Sequence, residues 1–186
     1  MNMHNYLIDK TNHAHNSLHV NPALRRLFSR EISHDAYAKV LSCYFSAVSS
    51  IEGIRKELNL WPSFSLEQEC VRLTDDLTLL DINTQELPVF NTSWIQDEFS
   101  LLGALYVFHG SKAGATVMSN SIKRMNADLP VGFFSITTNE YQWQSLLNAI
   151  NSINIDSHPS NVLIESALMT FQNFDSALKQ IEFTSH

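Results

Sequence analysis

Residues 33–58 read SHDAYAKVLSCYFSAVSSIEGIRKEL, a stretch that keeps one apolar face over about six helical turns. Its apolar positions recur three and four residues apart, at Tyr37, Val40, Leu41, Tyr44, Phe45, Val48, Ile51, Ile54 and Leu58. Ser33 is a suitable N-cap for this helix, and Pro62 is expected to stop it. The stretch therefore predicts a long amphipathic helix with one buried face.

The same period continues along the chain, which predicts an all-α protein. We expect further helices over about residues 4–19, just after Pro22, and over 66–80, 93–125, 140–150 and 160–181. Residues 84–92 are interpreted as a loop and 128–138 as a connection, with 131–136 buried and Gly132 at the surface. Strand-like alternation, internal repeats and linkers are not evident. We therefore predict one multi-helix domain spanning residues 1–186.

Composition excludes several classes of protein. Of the 186 residues, 44% are hydrophobic and 17% charged, an ordinary globular balance. The net charge of -7 argues against nucleic-acid binding. The longest apolar stretch, residues 101–108, is too short to span a membrane. Two cysteines and the lack of a signal-peptide pattern favour a cytoplasmic location.

Three of the five glycines, Gly103, Gly110 and Gly114, fall within one predicted helix. Each costs a helix interior about 1 kcal/mol relative to alanine. Spacings of seven and eleven residues place all three on nearly the same face, beside a second row of small residues at Ala104, Ser111 and Ala115. Such a strip allows close approach either of another helix or of a flat ligand, over which Gly110 and Gly114 would also allow the helix to kink. The spacing alone slightly favours a helix.

Histidines are the other candidate ligands. His15 and His19 lie one turn apart and could bind zinc, although no third ligand is indicated nearby. A neutral imidazole at His15 could alternatively serve as an axial ligand to iron. Glu31 and His34 have the Glu-x-x-His spacing of di-iron bundles, but a second such unit is missing. Signatures of nucleotide-binding proteins and of hydrolases are also absent.

Two blocks of sequence, considered together, resemble the heme oxygenase family, in particular its compact bacterial members. The first is Thr11-x-x-x-His15-x-x-Leu18-His19-x-x-Pro22-x-Leu24-x-x-Leu27. The second is residues 102–115, LGALYVFHGSKAGA, and a weaker match is Ala167-x-x-Thr170-Phe171 in the last helix. The resemblance extends from about residue 6 to residue 175. It implies a heme-oxygenase-like helical bundle.

The resemblance also implies an activity. Heme b would be both cofactor and substrate, and oxygen and reductant would convert it to biliverdin, carbon monoxide and ferrous iron. Electrons would come from a separate reductase, ferredoxin or flavodoxin, and a bilin-accepting photoreceptor is a further possible partner. His15 would be the proximal iron ligand, and the helix bearing Gly110, Ser111 and Gly114 would cover the opposite face of the heme.

Further cofactor-binding residues follow from the same resemblance: Thr11, Tyr106 and Ala115 lie within the matching blocks. Many family members have a basic residue at the position of Ile8, so propionate pairing is assigned here to Lys10, Lys123 or Arg124. His109 replaces a frequent glutamate, and a surface position is expected for it, although a His109 turned inward could approach the heme edge. Residues 133–138 replace a segment that helps to close the heme pocket in the family.

Two other functions remain open at this stage. One is a heme-binding or sensory protein of the same fold that does not turn over. The other is a helical relative with a different cofactor, such as a thiaminase-like or di-iron protein.

Overall fold

The computed structural model describes residues 1–29 and 32–182, which form eight α-helices. Their bounds are α1 Met3–His19, α2 Pro22–Arg26, α3 His34–Leu58, α4 Glu67–Leu79, α5 Glu98–Ser111, α6 Ala115–Met125, α7 Glu140–Asn151 and α8 His158–Lys179. These described ranges contain no β-strand, so the all-α prediction is confirmed. Within the same ranges, no helix combines the length and apolarity needed to cross a bilayer.

The long helix α3 begins where its sequence predicts. The side chain of Ser33 accepts a hydrogen bond from the backbone N–H of Ala36 at 3.1 Å, which caps the first turn. The helix ends before Pro62, because Asn59 adopts a left-handed conformation with φ 52° and ψ 41°. Pro62 instead opens a short 3-10 turn, Pro62–Phe64.

The single helix predicted over residues 93–125 is wrong in two respects. It begins only at Glu98, because the Asp97 carboxylate accepts hydrogen bonds from the backbone N–H groups of Phe99 and Ser100. It is then interrupted by a 3-10 turn, Lys112–Gly114, before α6 begins at Ala115. Gly110 before this turn and Gly114 at its end lower the local helix propensity and make the interruption less costly.

Helices α5 and α8 pack closely along the middle of the bundle. A Cβ atom at Gly103 would overlap the carbonyl oxygen of Leu163 and approach the backbone nitrogen of Ala167 to 3.0 Å. Ser166 donates a hydrogen bond to the carbonyl oxygen of Ser100 at 2.5 Å across the same interface. Gly103 therefore serves helix packing, the first of the two roles considered for the glycine row.

The connection between α6 and α7 is attached to the helices beneath it. The Asp76 carboxylate of α4 accepts hydrogen bonds from the backbone N–H groups of Gly132 at 3.0 Å and Phe133 at 2.8 Å. Tyr37 of α3 donates a hydrogen bond to the carbonyl oxygen of Pro130 at 2.5 Å. Most side chains in 131–136 are buried, as predicted. The surface position expected for Gly132 is wrong, because a Cβ there would lie 2.7 Å from Asp76 Oδ1.

Candidate functional site

A small cavity lies where α3, α4, α5, α6 and the segment 133–136 meet. Its volume is about 20 Å³, enough for one water molecule and far too little for a porphyrin. The cavity is lined by Tyr44, Val48, Glu69, Phe108, Ser111, Lys112, Ala115, Met118, Phe133, Phe134 and Ile136. Most of these side chains are apolar, and the polar ones are concentrated at the α4 and α5 side.

Of the small residues around the 3-10 turn between α5 and α6, some line this cavity and others do not. Ser111 and Ala115 both line it, and the Ser111 hydroxyl donates a hydrogen bond to the carbonyl oxygen of Phe108 at 2.8 Å. A Cβ at Gly110 would lie 3.6 Å from the Trp143 ring, and one at Gly114 would meet no atom within 4 Å. The row of Ser111 and Ala115 thus faces the cavity, while Gly114 faces open space.

His15 lies on the exposed side of α1 in its C-terminal half. Its ring packs edge-on against His19, with centroids 4.6 Å apart, and against Phe171 of α8 at 5.8 Å. Neither ring nitrogen forms a hydrogen bond with any residue in 1–29 or 32–182. Partial burial, and secondarily the neighbouring His19, lower the pKa of His15. The ring is therefore predominantly a neutral imidazole at pH 7, with one ring nitrogen whose lone pair is free to bind a metal.

Two aromatic side chains of α8 lie near His15 and near the cavity, although His15 itself does not line the cavity. Phe171 contacts His15, and Phe174 follows Phe171 one turn later on α8. The Phe174 ring contacts Phe108 at 5.6 Å and Tyr44 at 4.8 Å, both of which line the cavity. Phe174 thus contacts two side chains that line the cavity, and Phe171, one turn earlier on α8, contacts His15.

A buried polar cluster at one end of the cavity was not predicted from the sequence. Lys112 forms an ion pair with Glu69 of α4, and its Nζ lies 3.2 Å from His109 Nδ1. His109 Nε2 lies 3.0 Å from the carbonyl oxygen of Phe64. The surface position expected for His109 is wrong, since its side chain is only 4% exposed. Burial, followed by the positive charge of Lys112, lowers the pKa of His109 to about 4.

The remaining predicted cofactor-binding residues are dispersed. Thr11 is buried one turn before His15 and donates its hydroxyl to the carbonyl oxygen of Leu7. Lys10 lies over the ring of Tyr6 at 5.1 Å. Tyr106 contacts His4 and Trp143 near the other end of α1. Lys123 and Arg124 are exposed in the last turn of α6. The structure thus brings Ser111 and Ala115 to the cavity, and the other assignments remain predictions.

The structure also bears on the two alternative metal sites, a zinc site at His15 and His19 and a di-iron site at the Glu-x-x-His spacing. Within the described ranges, no three His, Cys, Asp or Glu side chains come together to hold a metal ion, so the pair His15 and His19 has no third protein ligand. Glu31 of the Glu-x-x-His spacing lies outside the described residues. A single imidazole on a helix surface is better suited to a cofactor that brings its own equatorial ligands.

Comparison with solved structures shows which architecture this is. The structure matches heme oxygenase from Leptospira interrogans with a TM-score of 0.77 and 14% identity, over 97% of this chain and 100% of that one. The chain has the heme oxygenase fold. The NO- and CO-bound heme oxygenase of Neisseria meningitidis matches with a TM-score of 0.75 and 18% identity, over 97% of this chain and 92% of that one.

A third match extends this heme oxygenase fold to a cyanobacterial protein. Heme oxygenase-1 from Synechocystis, solved in complex with heme, matches with a TM-score of 0.78 and 14% identity, over 98% of this chain and 93% of that one. The sequence matches no protein-family model and no curated protein. The shared fold therefore gives the architecture, and a function must be argued from the residues.

Proposed function

We propose that the protein is a heme oxygenase, which uses oxygen and reductant to convert heme to biliverdin, carbon monoxide and ferrous iron. The observation that carries this proposal is His15, a neutral imidazole free of hydrogen bonds in the described residues, on α1 of a heme oxygenase fold. When bound, heme b supplies the iron that activates oxygen and is itself the substrate that is opened.

The chemistry of the surrounding residues fits this group. An imidazole nitrogen is a suitable axial ligand for iron, and Phe171 beside it provides an apolar surface for a porphyrin. Tyr44, Phe108 and Phe133 continue that surface around the cavity. Because the cavity now holds only about one water molecule, heme binding requires these aromatic side chains to move apart.

In this proposal each predicted residue has a defined task. His15 binds the iron, and the buried Thr11 fixes the turn of α1 that precedes it. Ser111 and Ala115 leave room beside the porphyrin, and Gly110 and Gly114 keep the adjoining backbone bare. Tyr106, which packs against His4 and Trp143, would contact the edge of the cofactor.

The propionates need cationic partners, because two carboxylates at the edge of a bound heme are stabilised by nearby ammonium or guanidinium groups. Lys10, Lys123 and Arg124 are the proposed partners, and all three are exposed. Lys10 lies five residues before His15 on α1, about 7.5 Å along the helix axis.

Electrons would be delivered by a separate donor of the reductase, ferredoxin or flavodoxin type. A photoreceptor that accepts the bilin product is a further proposed partner. Both are protein partners that would meet this chain at its surface, and neither requires a membrane or a nucleic acid.

The experiment is reduction of the hemin-loaded protein in air. Ascorbate or a reductase should remove the Soret band and produce the broad red absorbance of a bilin. A stable ferrous-oxy spectrum without bilin would instead identify a non-catalytic heme-binding or sensory protein of the same fold. Failure of the purified protein to bind hemin would contradict both the heme oxygenase and the non-catalytic heme-binding function.

A further inference from the structure

His15 and His19 form a pair of imidazoles at the C-terminal end of α1. They are four residues apart, a spacing that places two side chains on the same helix face, one turn from each other. Their ring centroids lie 4.6 Å apart, and both residues are exposed. Neither ring forms a hydrogen bond within the described part of the chain. In its neutral form each imidazole therefore has one nitrogen lone pair available for a ligand.

The separation of the two rings suits a single metal ion. Bonds of about 2.0–2.1 Å from one ion to a nitrogen of each imidazole bring the two ring centres to about 4.5–5 Å from each other. The 4.6 Å between His15 and His19 lies in this range. Because both side chains reach solvent, rotation about their side-chain bonds can direct a nitrogen of each ring at the same point. The pair is thus spaced for a chelate, in which both imidazoles hold one ion.

The place of the pair on α1 also favours a cation. His19 is the last residue of the helix, and the C-terminal end of a helix carries partial negative charge from carbonyl groups without an intrahelical partner. Partial burial, and secondarily His19, lower the pKa of His15, so its ring is predominantly neutral at pH 7. A metal ion therefore has little proton to displace from His15 when it binds.

The donor atoms restrict the class of ion. Imidazole nitrogen suits Zn²⁺, Cu²⁺ and Ni²⁺, whereas Mg²⁺ and Ca²⁺ prefer oxygen ligands. No third His, Cys, Asp or Glu side chain in residues 1–29 and 32–182 joins the two rings, so water molecules fill the other coordination positions. The arrangement therefore differs from a structural zinc site, which has four protein ligands, and leaves the ion exchangeable.

We propose that His15 and His19 chelate a divalent transition-metal ion such as Zn²⁺, and that this ion excludes heme from His15. The chelate follows from the two rings alone. The exclusion of heme rests on the proposed function: a neutral imidazole has a single free lone pair, so His15 cannot bind the heme iron and a second ion at once. Free Zn²⁺ thereby limits the loading of the protein with heme.

The first measurement is calorimetric titration of Zn²⁺ into the heme-free protein without an affinity tag. His13→Ala is the matched control for His19→Ala, because His13 is an exposed histidine of α1 that lies about 200° around the helix from His15. Loss of one of the two metal bonds should weaken Zn²⁺ binding about tenfold or more in His19→Ala, whereas His13→Ala should stay within about twofold of the parent. Equal affinities in the parent and His19→Ala, or an equal weakening in both variants, would overturn the chelate.

The second measurement is the hemin affinity, followed at the Soret band, with and without Zn²⁺ at ten times its dissociation constant for the parent. Competition for His15 should weaken hemin binding about tenfold in the parent, and about twofold or less in His19→Ala, which retains the iron ligand but not the chelate. An unchanged hemin affinity in the parent, or an equal loss in both proteins, would overturn the exclusion of heme. If the parent binds no hemin at all, the proposed function and the exclusion fall together, while the calorimetry still decides the chelate.

Discussion

Gly103 of α5 lies against the backbone of Ala167 in α8, so closely that a Cβ atom would be 3.0 Å from the Ala167 nitrogen. It would also overlap the carbonyl oxygen of Leu163. Backbone atoms cannot move aside as a flexible side chain can. The contact makes glycine necessary here, at the centre of the bundle, despite its poor helix propensity.

Alanine substitutions at two helical glycines should therefore have opposite effects. Gly103→Ala should lower the free energy of unfolding by about 2 kcal/mol or more, as other overpacked cores do. Gly53→Ala in α3, which is exposed with no atom within 4 Å of its Cβ position, should raise it by about 0.5–1 kcal/mol. Urea denaturation of both variants checks this. A Gly103→Ala variant as stable as the parent would contradict the close packing of α5 on α8.

Gly114 provides a test of heme access that does not disturb packing. A Cβ there meets no atom within 4 Å, so Gly114→Leu should fold, and we expect it to weaken hemin binding by occupying space that the porphyrin needs. Gly53→Leu is the matched control, because its site is equally open and lies on α3 away from the cavity lining. Hemin titration followed at the Soret band measures both. Equal affinities in the two variants would remove Gly114 from the proposed site.

Asp76 should hold the segment that closes the cavity. Asp76→Ala removes the acceptor for the N–H groups of Gly132 and Phe133, and should cost about 1–3 kcal/mol of unfolding free energy. Amide hydrogen exchange of Gly132 and Phe133 should become faster in this variant. Asp75→Ala, at the exposed neighbouring position, should change stability by no more than about 0.5 kcal/mol. Unaltered exchange in Asp76→Ala would exclude this role.

His109 should make stability depend on pH. Burial and Lys112 hold its pKa at about 4 in the folded protein, below the ordinary value of 6.5. As pH falls, His109 of the unfolded chain therefore takes up its proton at a higher pH than His109 of the folded protein. The contribution of His109 to the free energy of unfolding is fully present above pH 6.5 and is lost as pH falls toward 4. Between pH 7 and 4.5 this contributes a loss of about 2 kcal/mol. Denaturation of His109→Gln should show a correspondingly smaller loss over that interval, and an identical loss would exclude His109 as a cause.

The helical fold could be predicted because each amphipathic stretch carries its own signal. The apolar period over 33–58 and the hydroxyl of Ser33 both act within a few residues, and α3 begins as they indicate. Gly110 and Gly114 indicated that the helix could kink, but not that it would end, because glycines within an apolar pattern are also compatible with a continuous helix. Asp97 carried a capping signal that could have placed the start of α5.

The candidate site was less predictable, because it depends on contacts between distant parts of the chain. His109 and Lys112 are three residues apart, a spacing that places them on one helix face. Their burial, however, is due to Glu69 of α4 and Phe64, about forty residues earlier, which no local pattern connects to them. The position of Tyr106 beside His4 and Trp143 is likewise set by the packing of α5 against α1 and α7.

Coordination of heme iron by His15 is tested most directly by the absorption spectrum of the hemin-loaded protein, recorded for the parent and for His15→Ala. His19→Ala is the matched control, since its ring lies 4.6 Å from that of His15 on the same helix face. We predict a histidine-ligated Soret band in the parent and in His19→Ala, and its loss or a changed spin state in His15→Ala. Heme binding with the same spectrum in His15→Ala would contradict the proposal.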